Sequence, residues 1–295
     1  MIQSNNNLSP LPFYTDIEEQ NHRRSYAYGN VYPLFAQNNL LLPFQIMRTR
    51  RNNSITSAYV YDINGNQIRN ILSDLQTAGL AIVKDSNVNY DVIVFPANLP
   101  FSEDLPIGQC YLKLSDGVET WYSDVLTLVN SLDGYLKIEW WDDENAYYDC
   151  GEIVYKDELV NYVNKLYLCT ELGKPDYVFE EEGESRDGYF FAEKQISYKT
   201  YRFQFLAPEY LCDAMRIIRL SDHVRITDIY GREYECDTFG IEPTWQEQGD
   251  LASVEAEFTT ATVVKKTGRG YVDVIGTNGD FNDDYNNDFD TSRDA

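Results

Sequence analysis

Between Tyr201 and Phe258 the hydrophobic period of the chain changes from two to 3.6 and back to two. Tyr201-Arg202-Phe203-Gln204-Phe205 alternates with one aromatic face, as a strand does. Pro208 follows, where a first helical position favours its fixed φ and missing N–H. Leu211, Ala214, Met215 and Ile218 then recur at helical spacing, predicting a helix from Pro208 to about Leu220 with one apolar face. Alternation returns in Val224-Arg225-Ile226-Thr227, turns at Tyr230-Gly231 and resumes from Ala252 to Phe258. The expected arrangement is one helix held between antiparallel strands, and its pattern contains no reactive group.

The rest of the chain is also strand-like. Its 24 Tyr and 14 Phe, against three Met and ten Pro, favour strands over helix bundles. With 295 residues, 43% of them apolar, it is long enough for two domains with substantial cores. The predicted fold class is mainly β: an immunoglobulin-like sandwich, then a second antiparallel β-domain with one or two short helices. Residues 1–31 are polar, with an Asn run, Pro10 and Pro12, and read as an extended N-terminal arm. Residues 32–131 form the expected sandwich. Asp133-Gly134 marks a boundary, residues 132–274 form the second β-domain, and residues 275–295 form an acidic, flexible tail.

Within the first domain, Ser57 to Tyr61 reads as a strand and Asn64-Gly65 as a two-residue type I′ hairpin turn. Ile71, Leu72 and Leu75 fit a helix, with a strand from Leu80 to Val83 and another from Asp91 to Phe95. Gly108 to Leu114 alternates, turns at Asp116-Gly117 and returns through Trp121 to Val129, like the last hairpin of an immunoglobulin-like or fibronectin-type module. In the second domain, Tyr177–Glu180 and Tyr189–Phe191 read as hairpin arms around an acidic loop, Glu181 to Gly188.

A formal charge of −24, from 48 acids against 24 Lys and Arg, repels phosphate backbones and anionic membranes, so no nucleic acid is expected as a partner. No window approaches 18 apolar residues, so no membrane insertion is expected. Met1-Ile2-Gln3-Ser4-Asn5 lacks the basic and apolar regions of a signal peptide. The five cysteines are odd in number, form no C-x-x-C and read as buried, reduced thiols of a protein folded in a reducing cytoplasm.

No catalytic pattern emerges. His22 lies in the polar arm, and His223, beside Asp222, reads as a satisfied histidine. No Walker A, dinucleotide, Gly-x-Ser-x-Gly or zinc spacing occurs, and no cofactor is expected. Asp142-Asp143-Glu144, Glu180-Glu181-Glu182 and Asp283-Asp284 read as solvated edges, although a glycoside hydrolase would need two such carboxylates converging. In the tail, Asp280 to Asp288 alternates acids and amides, but an EF-hand needs Gly sixth and Glu twelfth, where Tyr285 and Thr291 stand. Aromatics between charges in the arm (Phe13, Tyr14, Tyr26 and Tyr28) and in the tail (Phe281, Tyr285 and Phe289) suit docking to neighbouring subunits. Aromatic pairs such as Trp140-Trp141, Tyr147-Tyr148 and Phe190-Phe191 leave a sugar platform as an alternative.

Several segments carry a family likeness. They are Leu168 to Tyr177, the Glu180 to Glu184 loop, Lys199 to Phe203, Ala207 to Ala214, Trp245 to Ala252, and Val263 to Tyr271. Over about residues 20–272 they resemble structural proteins encoded near the tail genes of bacteriophages and prophages of gut Bacteroidales bacteria. The resemblance implies a non-enzymatic virion protein, present in multiple copies at the tail tip, baseplate or connector. Its implied partners are copies of itself in a ring and neighbouring phage structural proteins, and it supplies no active-site residues. A carbohydrate-binding or adhesin module, taking a host surface glycan at the phage tip, is the alternative.

Overall fold

The structure, a computed structural model, describes residues 9–15, 34–84, 90–143, 162–245 and 251–266. The protein is mainly β, with antiparallel pairing dominant. The immunoglobulin-like detail is compatible with these sheets.

The first strands are β1 (Phe13–Tyr14), β2 (Phe35–Gln37), β3 (Phe44–Thr49), β4 (Ser57–Asp62) and β5 (Gln67–Asn70). The short helix α1 (Leu72–Thr77) follows, then β6 (Ala81–Lys84), β7 (Tyr90–Phe95), β8 (Gly108–Ser115), β9 (Thr120–Ser123) and β10 (Leu126–Val129). β8 is the centre of the larger sheet. On one side it pairs with β4, from Ser115↔Ser57 to Cys110↔Asp62. On the other it pairs first with β9, as at Leu114↔Trp121, and then with β10, as at Cys110↔Leu126. The expected return strand from Trp121 to Val129 is therefore two strands, interrupted at Asp124-Val125, where the Val125 N–H bonds the Asp124 side chain. A second sheet has the order β3-β7-β6.

Two expectations for this region are corrected. Asn64-Gly65 is not a type I′ turn, because only Gly65 has positive φ, at 84°. The Asp62 carboxylate instead accepts the N–H groups of Asn64 and Asn66, and Gly65 N–H bonds the Asp62 carbonyl. That is a three-residue loop closed by a glycine bulge. Nor is the whole N-terminal stretch an arm awaiting a neighbour. Phe13 pairs with Ser123 and Tyr14 with Tyr122, and both side chains are buried, Phe13 4.8 Å from Phe44 between ring centroids. Apolar Leu11, Phe13 and Tyr14 offset the cost of ordering this short segment by adding an edge strand to the chain's own sheet.

The remaining elements are β11 (Leu136–Trp141), β12 (Asn164–Leu168), β13 (Asp176–Arg186), β14 (Tyr189–Pro208), α2 (Glu209–Met215), β15 (His223–Thr227), β16 (Glu233–Glu235), β17 (Thr238–Trp245) and β18 (Leu251–Lys266). They form two sheets, ordered β12-β11-β15-β16 and β13-β14-β18-β17. Among the described residues, strands before Asp133-Gly134 pair only with one another, as do those after it. The buried side chains do not divide there: Phe44, Leu112, Trp140, Met215 and Phe258 belong to one cluster. By compactness, the described residues up to Tyr177 together with those of Tyr198–Thr262 make one unit, while Val178–Ser197 and the end of β18 from Val263 belong to a second, smaller one.

The helix is shorter than its sequence period suggests. Pro208 caps it in extended conformation (φ −74°, ψ 165°) rather than occupying its first turn, and after Met215 the chain tightens into a 3-10 turn, Ile218–Leu220. The tightening occurs where Ile217, off the helical stripe, is also buried. Leu211, Ala214, Met215 and Ile218 are all at 0% exposure, so the apolar face is a core face. Met215→Ala is accordingly expected to cost about 2–5 kcal/mol. An unchanged midpoint in chemical denaturation would show that this face carries no packing energy.

Candidate functional site

Four places gather polar or aromatic side chains. The most buried is a charge network beneath the β8–β9 turn. Period two along β3 sends Phe44, Ile46 and Arg48 inward, so a guanidinium enters the core. Arg48 Nη1 lies 2.6 Å from Asp116 Oδ2, and Arg48 Nη2 lies 3.9 Å from Asp91 Oδ2. Arg51 Nε reaches the same Asp116 oxygen at 2.6 Å and also binds Glu119, while Arg50 Nε meets Asp91 at 3.0 Å. Asp116 also accepts the backbone N–H groups of Val118 and Glu119, each at 2.9 Å. Burial pushes its carboxyl up, but those two N–H groups and Arg51 outweigh burial and hold it below its ordinary value. Three guanidiniums face three carboxylates, and the cluster pins the 50–56 loop to a turn. Its chemistry is structural.

The second place is the β11–β15 end. His223 Nε2 is 2.6 Å from Asp143 Oδ1, rather than paired to its neighbour Asp222. Asp222 accepts the Asp143 N–H at 3.0 Å, and Asp142 accepts the Asp222 N–H at 3.1 Å. Trp141 lies between the His223 ring, at 5.2 Å, and the Arg225 guanidinium, also at 5.2 Å. Asp142 is buried, which corrects its reading as part of a solvated edge: its carboxylate is held by a backbone N–H. Cross-strand stacking and backbone bonds account for these groups.

Third is an open cleft of about 460 Å³ whose lining includes Lys199, Glu233, Glu235 and Asp237. Three of these four charged groups are engaged, Glu235 by Arg225 Nε at 2.7 Å. Lys199 rides 5.7 Å above the Tyr177 ring, and Asp237 accepts both the N–H and the hydroxyl of Thr262. Neighbouring Cys236 is pushed up to about 12 by burial and by Glu235 and Asp237, so it stays a thiol at neutral pH. Burial likewise raises Cys110 to about 12 and Cys212 to about 11. Cys169 is exposed, a correction to its expected burial, because it falls in the bend just after β12. Among the described residues no group of three or more His, Cys, Asp and Glu could hold a metal ion, and no helix is long and apolar enough to cross a membrane.

The fourth place is the hairpin of β13 and β14. Its acidic residues were expected in a loop, but the strand runs through them to Arg186 and the turn is only Asp187-Gly188. Both residues have positive φ, 52° and 83°, which is what a type I′ turn requires. The Asp-Gly pair was the signal in the sequence. Phe179 is 76% exposed, Tyr189 73% and Phe190 53%. Tyr189 and Phe190 are consecutive and so point to opposite faces, leaving a ring uncovered on each. Within the hairpin, Lys194 Nζ meets Glu182 at 3.1 Å and Gln195 Nε2 meets Glu181 at 2.6 Å. The three rings amount to roughly a few hundred Å² of aromatic surface, the scale at which exposed patches mark interaction sites.

Of the residues expected to make assembly contacts, Phe13 and Tyr14 are buried in the chain itself. Tyr26, Tyr28, Phe281, Tyr285 and Phe289 lie outside the described residues, as do His22, Cys150 and the tail's alternating acids. No protein-family model, curated protein or solved structure matches the chain.

Proposed function

We propose that this chain is a non-enzymatic virion structural protein that assembles in multiple copies in a phage tail or tail-tip/connector complex. The observation that carries the reading is the hairpin with uncovered aromatic rings on both faces, a surface that gains by being covered. The sequence likeness to tail-region proteins of Bacteroidales phages supports the same reading. So does the engagement of the described polar clusters in structural bonds. The partners are copies of the chain in a ring and neighbouring structural proteins. Location in the virion and synthesis in the bacterial host cytoplasm follow from that role.

Native mass measurement of the purified protein, alone and co-expressed with the products of the neighbouring genes, tests the reading. A ring or a stoichiometric complex is expected, together with recovery of the protein in purified particles. A monomer under both conditions, absent from particles, would overturn it. Turnover in glycosidase, esterase, peptidase or nuclease screens that one carboxylate substitution abolishes would overturn its non-enzymatic part.

A further inference from the structure

Three observations meet on the β13–β14 hairpin. Phe179, Tyr189 and Phe190 are exposed on its two faces. β13 ends its sheet, so among the described residues the backbone along one side of an 11-residue strand has no partner strand. Residues 178–197 carry six carboxylates against one Lys and one Arg, and the stretch Phe179 to Ser185 is exposed throughout.

We propose that this hairpin docks a different chain, one presenting an extended segment that alternates Lys or Arg with apolar residues. The segment pairs along the free side of β13, its apolar side chains cover the rings, and its cations meet the glutamates. The inference rests on the assembly reading and names the chemistry of the partner at that contact. Acids along an edge strand repel like-charged strands and admit a basic one, which makes the edge selective as well as soluble.

Charge excludes the nearer candidates. A second copy brings another −24, and no described edge strand of the chain carries more than one Lys or Arg. β16 reads Glu233-Tyr234-Glu235, and β17 has Glu242 and no cation. The chain's own end, from Asp273 to Ala295, holds seven Asp against Arg293 alone.

The test uses the full chain and a labelled peptide of alternating lysine and valine, with a glutamate–valine peptide as control, near physiological ionic strength. Fluorescence anisotropy should report binding of the first peptide alone. Phe179→Ser with Phe190→Ser, and separately Glu180→Gln with Glu182→Gln and Glu184→Gln, should each weaken it roughly tenfold or more. Neutralising the exposed acids Asp104, Asp133 and Glu171 should change it less than about twofold. Hydrogen exchange at β13 amides should slow on binding.

Equal binding by all variants, or no binding, would overturn the proposal. Self-association of the parent chain that the hairpin variants lose would also overturn it, by making the occupant a second copy while leaving the assembly reading intact. Hairpin variants that still enter a stoichiometric complex with neighbouring gene products would likewise refute the docking alone. A parent chain that binds the lysine–valine peptide through the hairpin yet enters no complex or particle would support the docking and count against the assembly reading.

Discussion

Asp116→Asn is expected to destabilise the protein by about 3–5 kcal/mol, the cost of breaking a buried ion pair by removing one partner. The Asp116 side chain is at 0% exposure and serves two guanidiniums, both at 2.6 Å. Arg51 retains Glu119, so most of the penalty falls on Arg48, whose side chain is 1% exposed and whose other carboxylate, on Asp91, is 3.9 Å away. Arg48 Nε is already buried without a hydrogen-bond partner. The asparagine can still accept the N–H groups of Val118 and Glu119, so the loss reports charge more than turn geometry.

A double-mutant cycle with Arg48→Met separates the two. The pair of substitutions should cost less than the sum of the singles, because removing both charges leaves neither stranded. Additive costs in urea denaturation would show that the two side chains do not act as a pair. The pH dependence has a definite sign. A carboxyl held below its unfolded value contributes stability that is complete above that value, near pH 4, and is lost as pH falls through the folded value. Parent and Asp116→Asn stabilities should therefore converge in acid below the folded value, draw apart as pH rises from it, and differ by a constant amount above about pH 4.

Phe258→Ala is expected to cost about 3–5 kcal/mol. Phe258 is fully buried in β18, stacked on Tyr201 at 5.3 Å with an interplanar angle of 11°, and edge-on to Tyr234 at 6.1 Å. Those rings come from β14, β18 and β16, so truncation opens a cavity shared by strands of two sheets. Phe258→Leu should recover much of the loss, since it restores volume but not stacking. The reader is the denaturation midpoint at constant slope. A loss below about 1 kcal/mol would mean that the surrounding rings collapse into the space.

Local pattern was legible where one face of an element is buried. Period two read β8, β15 and the start of β18 correctly, and period 3.6 found the buried face of α2, because burial repeats with the side-chain geometry of each element, while β7 was read from its continuous apolar run and is buried almost throughout. Turn chemistry was legible only in part. Asp-Gly and Asn-Gly look alike as dipeptides, yet the first closes a type I′ turn in which both residues have positive φ. The second yields to the Asp62 carboxylate, which captures the loop's N–H groups.

The hairpin's aromatic and acidic residues could be read from the sequence, but not their exposure, which depends on what the rest of the chain does not cover. The buried charges were hidden for the converse reason. Arg48 shares an inward face with Phe44 and Ile46, but its partners Asp91 and Asp116 lie on β7 and just beyond β8. Phe13 and Tyr14 show the same limit, since an aromatic pair in a polar stretch suits an outside partner or an inside one equally well. The sequence by itself determined a strand-rich chain, its strong surplus of acids and the apolar faces of its elements, because these follow from residue type and short-range periodicity. Tertiary structure alone decided which sheet takes up the N-terminal strand, which ions are buried together and which rings stay uncovered. Each of those outcomes depends on residues far apart in sequence meeting in space, and no local period encodes such a meeting.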